Sequence, residues 1–469
     1  MDSVIVNKDK VNYFKTFIIG CGFLGSMVAW SIYDPYVSKL LSEKLSQSDF
    51  VTRLGADLAN RYPFLLEFMQ AQGENVGSAA GGFTLVPLFV GIIMTFDNIF
   101  GVIFQPLFGR LSDRTRSRLG KRRPFVILFA PLSALLFALI PFMPTIPTLM
   151  ICIIGFVFLM SLWRSPVMAL MPDLTAPHLR SEANSVISVT GGIGAFLAVI
   201  AGKLLAAIFG YDTELNEERR AVFIFGAIVM ILGTLIVSVF VKEADSRTDP
   251  AHGSGAPGKS KKKQGSKLNK EERKSLIFMM CALFFLFIGT NSVTTFFALF
   301  AAEVLGKDTA SATLMIGAFL AAGALAAFPA GILGKKFGRK KVIVSGLCAL
   351  IAVFAAFTIT KQLWLIWPAI AIGGAASLFV NVNTLPLVWS IGGLDRVGTF
   401  TGYYYTATFS GQVAAPILFG IVRVLTGTYM SLFGFCTTAF IVSLLFISFV
   451  RHGEALPEEE AKQLAAEAG

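Results

Sequence analysis

The chain has 469 residues, of which 55% are hydrophobic and 15% are charged, whereas soluble globular proteins average roughly 25% charged residues. This composition excludes a single soluble domain. The five cysteines are scattered in apolar stretches and the three histidines lie in polar connecting segments. The sequence therefore predicts neither a disulfide framework nor a metal centre with recognisable ligand spacing.

Apolar segments long enough to cross ~30 Å of hydrocarbon, at about 1.5 Å per residue, recur from the start of the chain to its end. The first contains Lys15 near its start and lacks a small-residue cleavage site, so we interpret it as a retained helix and not as a signal peptide. The predicted fold is an all-α integral membrane protein with twelve transmembrane helices. They are predicted at about residues 12–37, 84–110, 123–142, 147–172, 184–209, 221–241, 275–302, 311–333, 341–360, 363–390, 399–422 and 429–450.

Most of the forty lysine and arginine residues lie in segments that share one side of the membrane with both termini. The positive-inside rule therefore predicts a cell-membrane protein with both termini in the cytoplasm. Topology thereby explains most of the net charge of +11. Nucleic-acid binding is not expected, because it needs basic residues and base-reading side chains on one surface.

Residues 243–274 are rich in Gly, Ser, Pro and Lys and predict a flexible cytoplasmic linker. They separate two predicted six-helix bundles, 1–242 and 275–469. FGRLSDRTRSRLGKRRP follows the second span and GILGKKFGRKK follows the eighth, so the bundles are predicted to be parallel repeats. Within the linker, GSGAPGKS at 253–260 matches the phosphate-loop pattern. It lacks the strand and helix that make backbone amides converge on a phosphate, so no nucleotide site is expected.

One long external segment is predicted, at residues 38–83 between the first two spans. Its apolar residues recur at the spacing of short amphipathic helices, as in Leu40, Leu41 and Leu45, followed by Leu54 and Leu58. The segment either caps the outer mouth of the protein or is a plain spacer. The residues leave both interpretations open.

Twelve spans in two halves, each with a Gly-x-x-x-basic turn after its second helix, resemble the major facilitator superfamily. Three stretches resemble its glycoside, pentoside and hexuronide cation symporters, and among them the sucrose-type branch. The resemblance implies cation-coupled, alternating-access symport of a glycoside or disaccharide, such as a sucrose- or maltose-like sugar. The stretches are SDRTRSRLGKRRPF at 112–125, RSPVMALMPDLTAPHLRSEANSV at 164–186 and GTFTGYYYTATFSGQVAAPILFG at 398–420.

Other functions remain as alternatives to sugar symport. A superfamily carrier of a lysolipid or a drug-like substrate would keep the same fold and turn motifs. A membrane enzyme would need a nucleophile, base or metal constellation at one depth, and the spans contain none. A channel is disfavoured because two repeated halves suit rocking about a central site. We expect a monomer that needs no cofactor apart from the coupling ion.

Two charged residues are predicted inside the spans, Asp97 in the second and Arg164 in the fourth. Intramembrane charges are costly and usually find a partner and mark a pathway. Both spans run inward and the predicted depths differ by only ~6 Å, so the two side chains can form an ion pair. Gly101 and Gln105 follow Asp97 at i+4 and i+8, which predicts a polar face lining a cavity.

In the resembled family, an acid at the position of Asp97 takes part in cation coupling. Many members also have an acid one turn further along this helix and one on the fourth helix, where this chain has Gly101 and Arg164. These differences remove oxygen ligands that sodium needs and add a positive charge, so we expect proton coupling through Asp97. The alternative is a permanent Asp97–Arg164 pair that only holds two helices together.

Asp34, in WSIYDPYV, lies in a stretch that resembles the first helix of the sucrose-type carriers. There it would accept hydrogen bonds from sugar hydroxyls, with Trp30 or Tyr33 as a stacking face; alternatively it already lies at the outer water interface. Neutral hydrogen-bonding side chains elsewhere in the spans are further candidate sugar contacts, although such residues also tie helices together. These candidates are Gln105, Asn291, Thr295, Asn381, Asn383, Tyr404 and Gln412.

Charged residues in the predicted cytoplasmic turns are candidates for gating. Asp113, Arg114, Arg122 and Arg123 belong to the turn after the second span, and Asp173 and Arg180 to a second cluster after the fourth. Lys203, in the fifth span, is predicted to extend its long stem to the outer interface.

Overall fold

The structure is a computed structural model that describes residues 12–63, 84–175, 180–210, 216–241, 269–392 and 397–451. Most of the predicted linker, the 253–260 segment and part of the predicted external segment lie outside the described residues. The described residues form fourteen α-helices and no strand. The helices are α1 Tyr13–Ser46, α2 Asp49–Arg61, α3 Val86–Met94, α4 Phe96–Arg114, α5 Arg123–Leu139, α6 Ile146–Leu174, α7 Arg180–Phe209, α8 Asn216–Phe240, α9 Lys270–Val304, α10 Thr309–Phe337, α11 Arg339–Thr360, α12 Ile366–Gly392, α13 Val397–Thr426 and α14 Ser431–Ser448.

The all-α membrane fold is confirmed. Within the described residues, twelve helical segments are long and apolar enough to cross a membrane, and each overlaps a predicted span. The second of these combines α3 and α4. The single turn at Thr95 between those two helices was not predicted.

The predicted external segment differs from expectation at its start. Helix α1 continues to Ser46, because Leu40, Leu41 and Leu45 are buried and extend its packed face. In the described part of this segment, α2 is the separate amphipathic helix. Its buried residues are Val51, Gly55 and Ala59, at i, i+4 and i+8.

The chain folds into two compact units. The first contains Met1–Leu40, Phe96–Lys259 and Asp308–Ala310, and the second contains Leu41–Thr95, Ser260–Lys307 and Ser311–Gly469. Two of the unit boundaries therefore fall inside α1 and between α3 and α4. The predicted six-helix halves, 1–242 and 275–469, stay a prediction.

Aromatic packing forms much of the interior of the first unit. Tyr36, Phe137, Phe156 and Phe223 are fully buried. Phe137 lies between the other two phenylalanine rings, with centroid distances of 5.0 Å to Phe156 and 4.7 Å to Phe223. Aromatic pairs at such distances add roughly 0.5–1.5 kcal/mol each beyond the burial of their area. This layer holds α1, α5, α6 and α8 together.

The second unit has its own aromatic core. Phe433 of α14 packs against Phe300 of α9 at 5.0 Å and against Phe354 and Phe357 of α11 at 5.1 and 4.6 Å. All four rings are buried. The core thus joins α9, α11 and α14 without any polar contact among these side chains.

The two basic turns predicted to be repeats share an unusual backbone conformation. Gly120 precedes Lys-Arg-Arg at the start of α5, Gly338 precedes Arg-Lys-Lys at the start of α11, and both have φ of 95°. Residues with a Cβ rarely adopt this conformation. The shared geometry is the local reason for glycine at both positions.

Candidate functional site

The candidate site lies in the first unit, where α1, α4 and α6 bring three charged side chains together. Asp34 interacts electrostatically with Asp97, and Asp97 interacts electrostatically with Arg164. All three side chains are partly buried. We call these residues the charged cluster. Asp34 is thus placed beside Asp97, and its role as a sugar contact stays a prediction.

The predicted direct ion pair between Asp97 and Arg164 is not formed. Asp97 Oδ1 instead accepts hydrogen bonds from the backbone N–H of Asn98 at 2.6 Å and from Asn98 Nδ2 at 2.7 Å. Helix α4 begins at Phe96, so the Asn98 amide is among the first N–H groups of that helix, which have no i−4 partner within it. The Asp97 carboxylate satisfies this amide and is thereby held by its own helix.

Arg164 is placed against an aromatic side chain. Its Cζ atom lies 5.9 Å from the centre of the Trp30 ring, a cation–π distance. Its Nε atom is buried and has no hydrogen-bond partner. The guanidinium therefore lies over one face of the Trp30 ring, and the role of Trp30 as a stacking face for a sugar stays a prediction.

An aromatic wall completes this part of the site. The Trp30 and Tyr33 rings meet edge to face at 5.4 Å, and both pack on Phe156, at 5.9 and 5.6 Å. The Trp30 Nε1 and Tyr33 hydroxyl are buried without a hydrogen-bond partner. Leaving such a group unsatisfied costs about 1–3 kcal/mol, so an orphaned buried polar atom calls for an explanation, such as a role in binding a ligand.

Asp97, Gly101 and Gln105 lie along α4 at the predicted spacing, and the prediction that this face lines a cavity stays open. Gln105 reaches back over Gly101, so that a Cβ added to Gly101 would lie 3.3 Å from Gln105 Nε2. A different face of α4 is aromatic. Phe100, Phe104 and Phe108 surround Phe158 of α6 at 6.1, 5.0 and 6.4 Å.

The candidate sugar contacts of the second unit divide into two groups. Asn383 Nδ2 donates to the backbone oxygens of Ala330 at 3.1 Å and Phe379 at 3.0 Å, and Asn381 Nδ2 donates to Ser377 O at 2.9 Å. In this structure, therefore, Asn383 ties α12 to α10.

The second group of candidate sugar contacts has polar atoms without a hydrogen-bond partner or with only a long hydrogen bond. It consists of Asn291, Thr295, Tyr404 and Gln412. Asn291 Oδ1 is buried without a partner. The Tyr404 hydroxyl lies 3.4 Å from the hydroxyl of Thr384. Thr295 is buried and Gln412 is partly buried. These residues stay predicted sugar contacts.

Arg122 joins the two predicted gating clusters. Its Nε donates to Asp173 at 3.0 Å, its Nη2 pairs with Asp113, and its Nη1 donates to Gly109 O at 3.1 Å and to Ser112. The side chain is buried, whereas both acids are substantially exposed.

The other predicted gating residues are separate from these contacts or not described. Arg123 donates to Ser238 O of α8, and Arg114 is exposed. The side chain of Arg180 lies outside the described residues.

Sequence reasoning missed a second polar cluster in the first unit. The Tyr36 hydroxyl donates to Glu218 Oε1 at 2.6 Å, and both residues are buried. Lys203, predicted to extend to the interface, pairs with Asp308 at 2.9 Å, and its side chain is 38% exposed. The available signals were Glu218 at the start of the sixth span and Tyr36 one turn beyond Tyr33.

The second unit has a comparable cluster at the ends of two of its spans and in the turn after the second of them. Arg423 Nη2 donates to Glu303 at 2.8 Å, and the backbone N–H of Tyr429 donates to the same carboxylate at 2.9 Å. Arg423 Cζ lies 4.6 Å from the centre of the Tyr429 ring. Burial, with a smaller contribution from Glu303, raises the pKa of Tyr429 although Arg423 acts to lower it. Its hydroxyl has no hydrogen-bond partner.

Metal chemistry has no visible donor set in the described part of the chain. Groups of three or more His, Cys, Asp or Glu side chains able to hold a metal ion are absent there.

Comparison with known families identifies a transporter relationship. The model of the Major Facilitator Superfamily matches residues 16–416, with a second match over residues 279–468. An isoprimeverose transporter of Lactiplantibacillus pentosus is 25% identical over 84% of this chain and 72% of its own length. A general alpha-glucoside permease of Schizosaccharomyces pombe is 30% identical over 33% of this chain. A raffinose carrier protein of Pediococcus pentosaceus is 25% identical over 69% of this chain.

Coverage of these relatives is uneven. The matched region spans 31% of the alpha-glucoside permease and 52% of the raffinose carrier. Among solved structures, a bacterial homologue of the human lysosomal transporter Spinster has a TM-score of 0.65 and 14% identity, covering 93% of this chain and 95% of its own. The nucleoside transporter NupG also has a TM-score of 0.65 and 14% identity, covering 93% of this chain and 100% of its own. At this identity, the structural likeness shows the fold alone.

Proposed function

Because the chain belongs to the major facilitator superfamily, and is thus a multi-pass membrane transporter and not an enzyme, we propose that it is a proton-coupled symporter of a neutral glycoside or disaccharide. Transport proceeds by alternating access. The protein lies in the cell membrane with both termini in the cytoplasm, as the distribution of lysine and arginine predicts.

The observation that carries this proposal is the set of unpartnered polar atoms beside the charged cluster. Trp30 Nε1, the Tyr33 hydroxyl and Arg164 Nε are buried without hydrogen-bond partners. Asp34 and Asp97 supply carboxylate oxygens next to them. A sugar hydroxyl both donates and accepts, so a polyhydroxylated ligand can satisfy donors and acceptors at once. An apolar ligand would leave these atoms unsatisfied.

The matched relatives support a sugar as the substrate. Three of them are named for isoprimeverose, raffinose and alpha-glucosides, which are uncharged glycosides. The aromatic wall of Trp30, Tyr33 and Phe156 offers the apolar contact that the carbon face of a sugar ring needs. The same wall would suit a glycoside better than a free inorganic ion.

The charges of the cluster favour a proton as the coupling ion. With both acids ionised, the two negative charges of Asp34 and Asp97 exceed the single positive charge of Arg164 by one. A proton bound at Asp97 neutralises the excess. Sodium would need several oxygen ligands, and Asp97 Oδ1 already accepts two hydrogen bonds from Asn98.

Coupling follows if sugar and proton each stabilise the same conformation of the carrier. The effect of one bound ligand on the affinity for the other is then reciprocal. Sugar binding therefore raises proton affinity, and protonation raises sugar affinity by the same factor. A carrier in which only the doubly loaded form changes conformation moves both together.

Uptake by purified protein in proteoliposomes tests the proposal. We expect saturable uptake of labelled sucrose, maltose or raffinose that an inward proton gradient drives and a protonophore abolishes. An inward sodium gradient without a proton gradient should have no effect. Saturable uptake of lysolipid or a drug-like cation with no uptake or binding of any sugar would overturn the sugar assignment, and sodium-driven sugar uptake would overturn the proton assignment.

A further inference from the structure

The second span is divided at one residue. Helix α3 ends at Met94 and α4 begins at Phe96. Thr95, between them, keeps a helical backbone, with φ −75° and ψ −22°. The boundary between the two compact units falls between Thr95 and Phe96, one residue before Asp97.

Helix α3 is fastened to α13 in the second unit by direct backbone contact. A Cβ added to Gly91 would lie 2.1 Å from Pro416 O, and one added to Gly420 would lie 2.8 Å from Pro87 O. Such distances leave no room for a side chain at either glycine. At the end of α3, Thr95 Oγ1 lies 2.9 Å from Gly91 O and 3.3 Å from Val413 O.

Helix α4 is fastened to a different partner in the first unit. Its phenylalanine row packs around Phe158 of α6. Further along, a Cβ added to Gly109 would lie 2.9 Å from Ser165 Oγ. The two parts of one span therefore belong to different compact units, and the chain passes from one to the other at Thr95.

We propose that Thr95 is a positioning residue for Asp97, and that bending at Thr95 switches the partner of the Asp97 carboxylate between Asn98 and Arg164. This inference rests on the proposed role of Asp97 in proton coupling. A side-chain hydroxyl bonded to the i−4 carbonyl favours a bend in a helix. The interruption at Thr95 begins α4 at Phe96 and leaves the Asn98 amide without an i−4 partner in α4, and Asp97 accepts a hydrogen bond from it.

Straightening the span has the opposite effect. The Asn98 amide would take the Met94 carbonyl as its i−4 partner, and Asp97 would lose its strongest backbone donor. The positively charged group that interacts electrostatically with Asp97 is Arg164 on α6. The other titratable groups that interact with Asp97 are Asp34 and Tyr33 on α1. Movement of the two bodies is thereby linked to the environment of the coupling acid.

Substitution of Thr95 tests its role in transport. Thr95→Val keeps the side-chain shape and removes the hydroxyl, whereas Thr95→Ser keeps the hydroxyl. Thr234→Val is the matched control, since Thr234 is buried and bonds its i−4 carbonyl, Met230 O, at 2.8 Å away from the charged cluster. Loss of one hydrogen bond should change the bending equilibrium about fivefold. We expect Thr95→Val to shift the pH profile of uptake and to lower accumulation about fivefold with sugar exchange retained, while Thr95→Ser and Thr234→Val behave as wild type.

A distance measurement tests the bend without reference to the substrate. Spin labels at Ile92→Cys on α3 and Leu107→Cys on α4, both exposed positions, report the bend in a chain whose five native cysteines have been replaced. We expect two distance populations whose ratio depends on pH and is changed by Thr95→Val but not by Thr234→Val. A single, unchanging distance in all variants, or wild-type coupling by Thr95→Val, would overturn the inference. If wild-type protein fails to transport sugar but shows the two populations, the proposed function fails and the bend stands.

Discussion

Asn98 holds Asp97 by two hydrogen bonds, one from its backbone N–H and one from its side-chain amide. Helix α4 itself thus provides the immediate partners of the proposed coupling acid, and Arg164 acts on it only at longer range. A fixed Asp97–Arg164 bridge, the purely structural alternative, is not what this structure contains. Release of Asp97 requires a change within its own helix turn.

The first prediction concerns Asp97. Asp97→Asn resembles the protonated acid and cannot release a proton, so accumulation of sugar against a gradient should be abolished while sugar binding and exchange are retained. The measurement compares proton-driven uptake with counterflow in proteoliposomes. Asp57→Asn, the same change at an exposed position of α2, should leave both unchanged. Native accumulation by Asp97→Asn would show that another acid couples, and Asp34 would be tested next.

Features that depend on residues close together in the chain can be predicted from the sequence, whereas contacts between distant residues cannot. Twelve spans could be predicted, because a helix must be apolar over the thickness of a bilayer. The turns at Gly120 and Gly338 could be predicted as related, because their basic residues follow at short spacing. The Tyr36–Glu218 hydrogen bond joins residues 182 positions apart. Such a pair forms because the packing of α1 against α8 brings the two side chains together, which the sequence does not reveal. The division at Thr95 leaves no mark in hydropathy, since its backbone stays helical and its neighbours are apolar.

The second prediction concerns Tyr36 and Glu218. Tyr36→Phe removes the hydroxyl donor and leaves the buried Glu218 carboxylate with one partner fewer. The free energy of unfolding should therefore fall by about 1–3 kcal/mol. Gly202→Ala should act in the same direction, because its Cβ would lie 2.5 Å from the Tyr36 hydroxyl and 2.7 Å from Glu218 Oε1. Thermal unfolding in detergent measures both. Tyr429→Phe serves as the control, since it removes a buried hydroxyl that has no partner, and it should cost little. Unchanged stability of both test variants would contradict the importance of this bond.

The third prediction concerns Arg122. Its partners differ in exposure, because Asp113 and Asp173 side chains are 58% and 37% exposed while the Arg122 side chain is 6% exposed. Exposed charges are screened by water, so Asp173→Asn should cost less than about 1 kcal/mol. Arg122→Ala should cost more, since Gly109 O and Ser112 lose a donor as well. Thermal unfolding of the two variants should therefore rank Arg122→Ala as clearly less stable. Equal effects would mean that the ion pairs alone account for the role of Arg122.

The last prediction concerns Arg164. Arg164→Ala removes the positive charge that offsets Asp34 and Asp97 and also uncovers the face of Trp30. Two acids then interact without a counter-charge, so sugar binding, exchange and proton-driven accumulation should all fall by at least about tenfold, the effect expected from roughly 1.4 kcal/mol. Arg220→Ala is the matched control, because Arg220 also covers an aromatic ring, Phe142 at 5.1 Å, but is exposed and outside the charged cluster. Arg164→Lys keeps the charge and loses the planar donor fork. Compared with Arg164→Ala, it should therefore restore part of the proton-driven sugar accumulation but little of the sugar affinity. Full binding and accumulation by Arg164→Ala would exclude Arg164 from the site, and the excess of carboxylates would then have to be neutralised by protons alone.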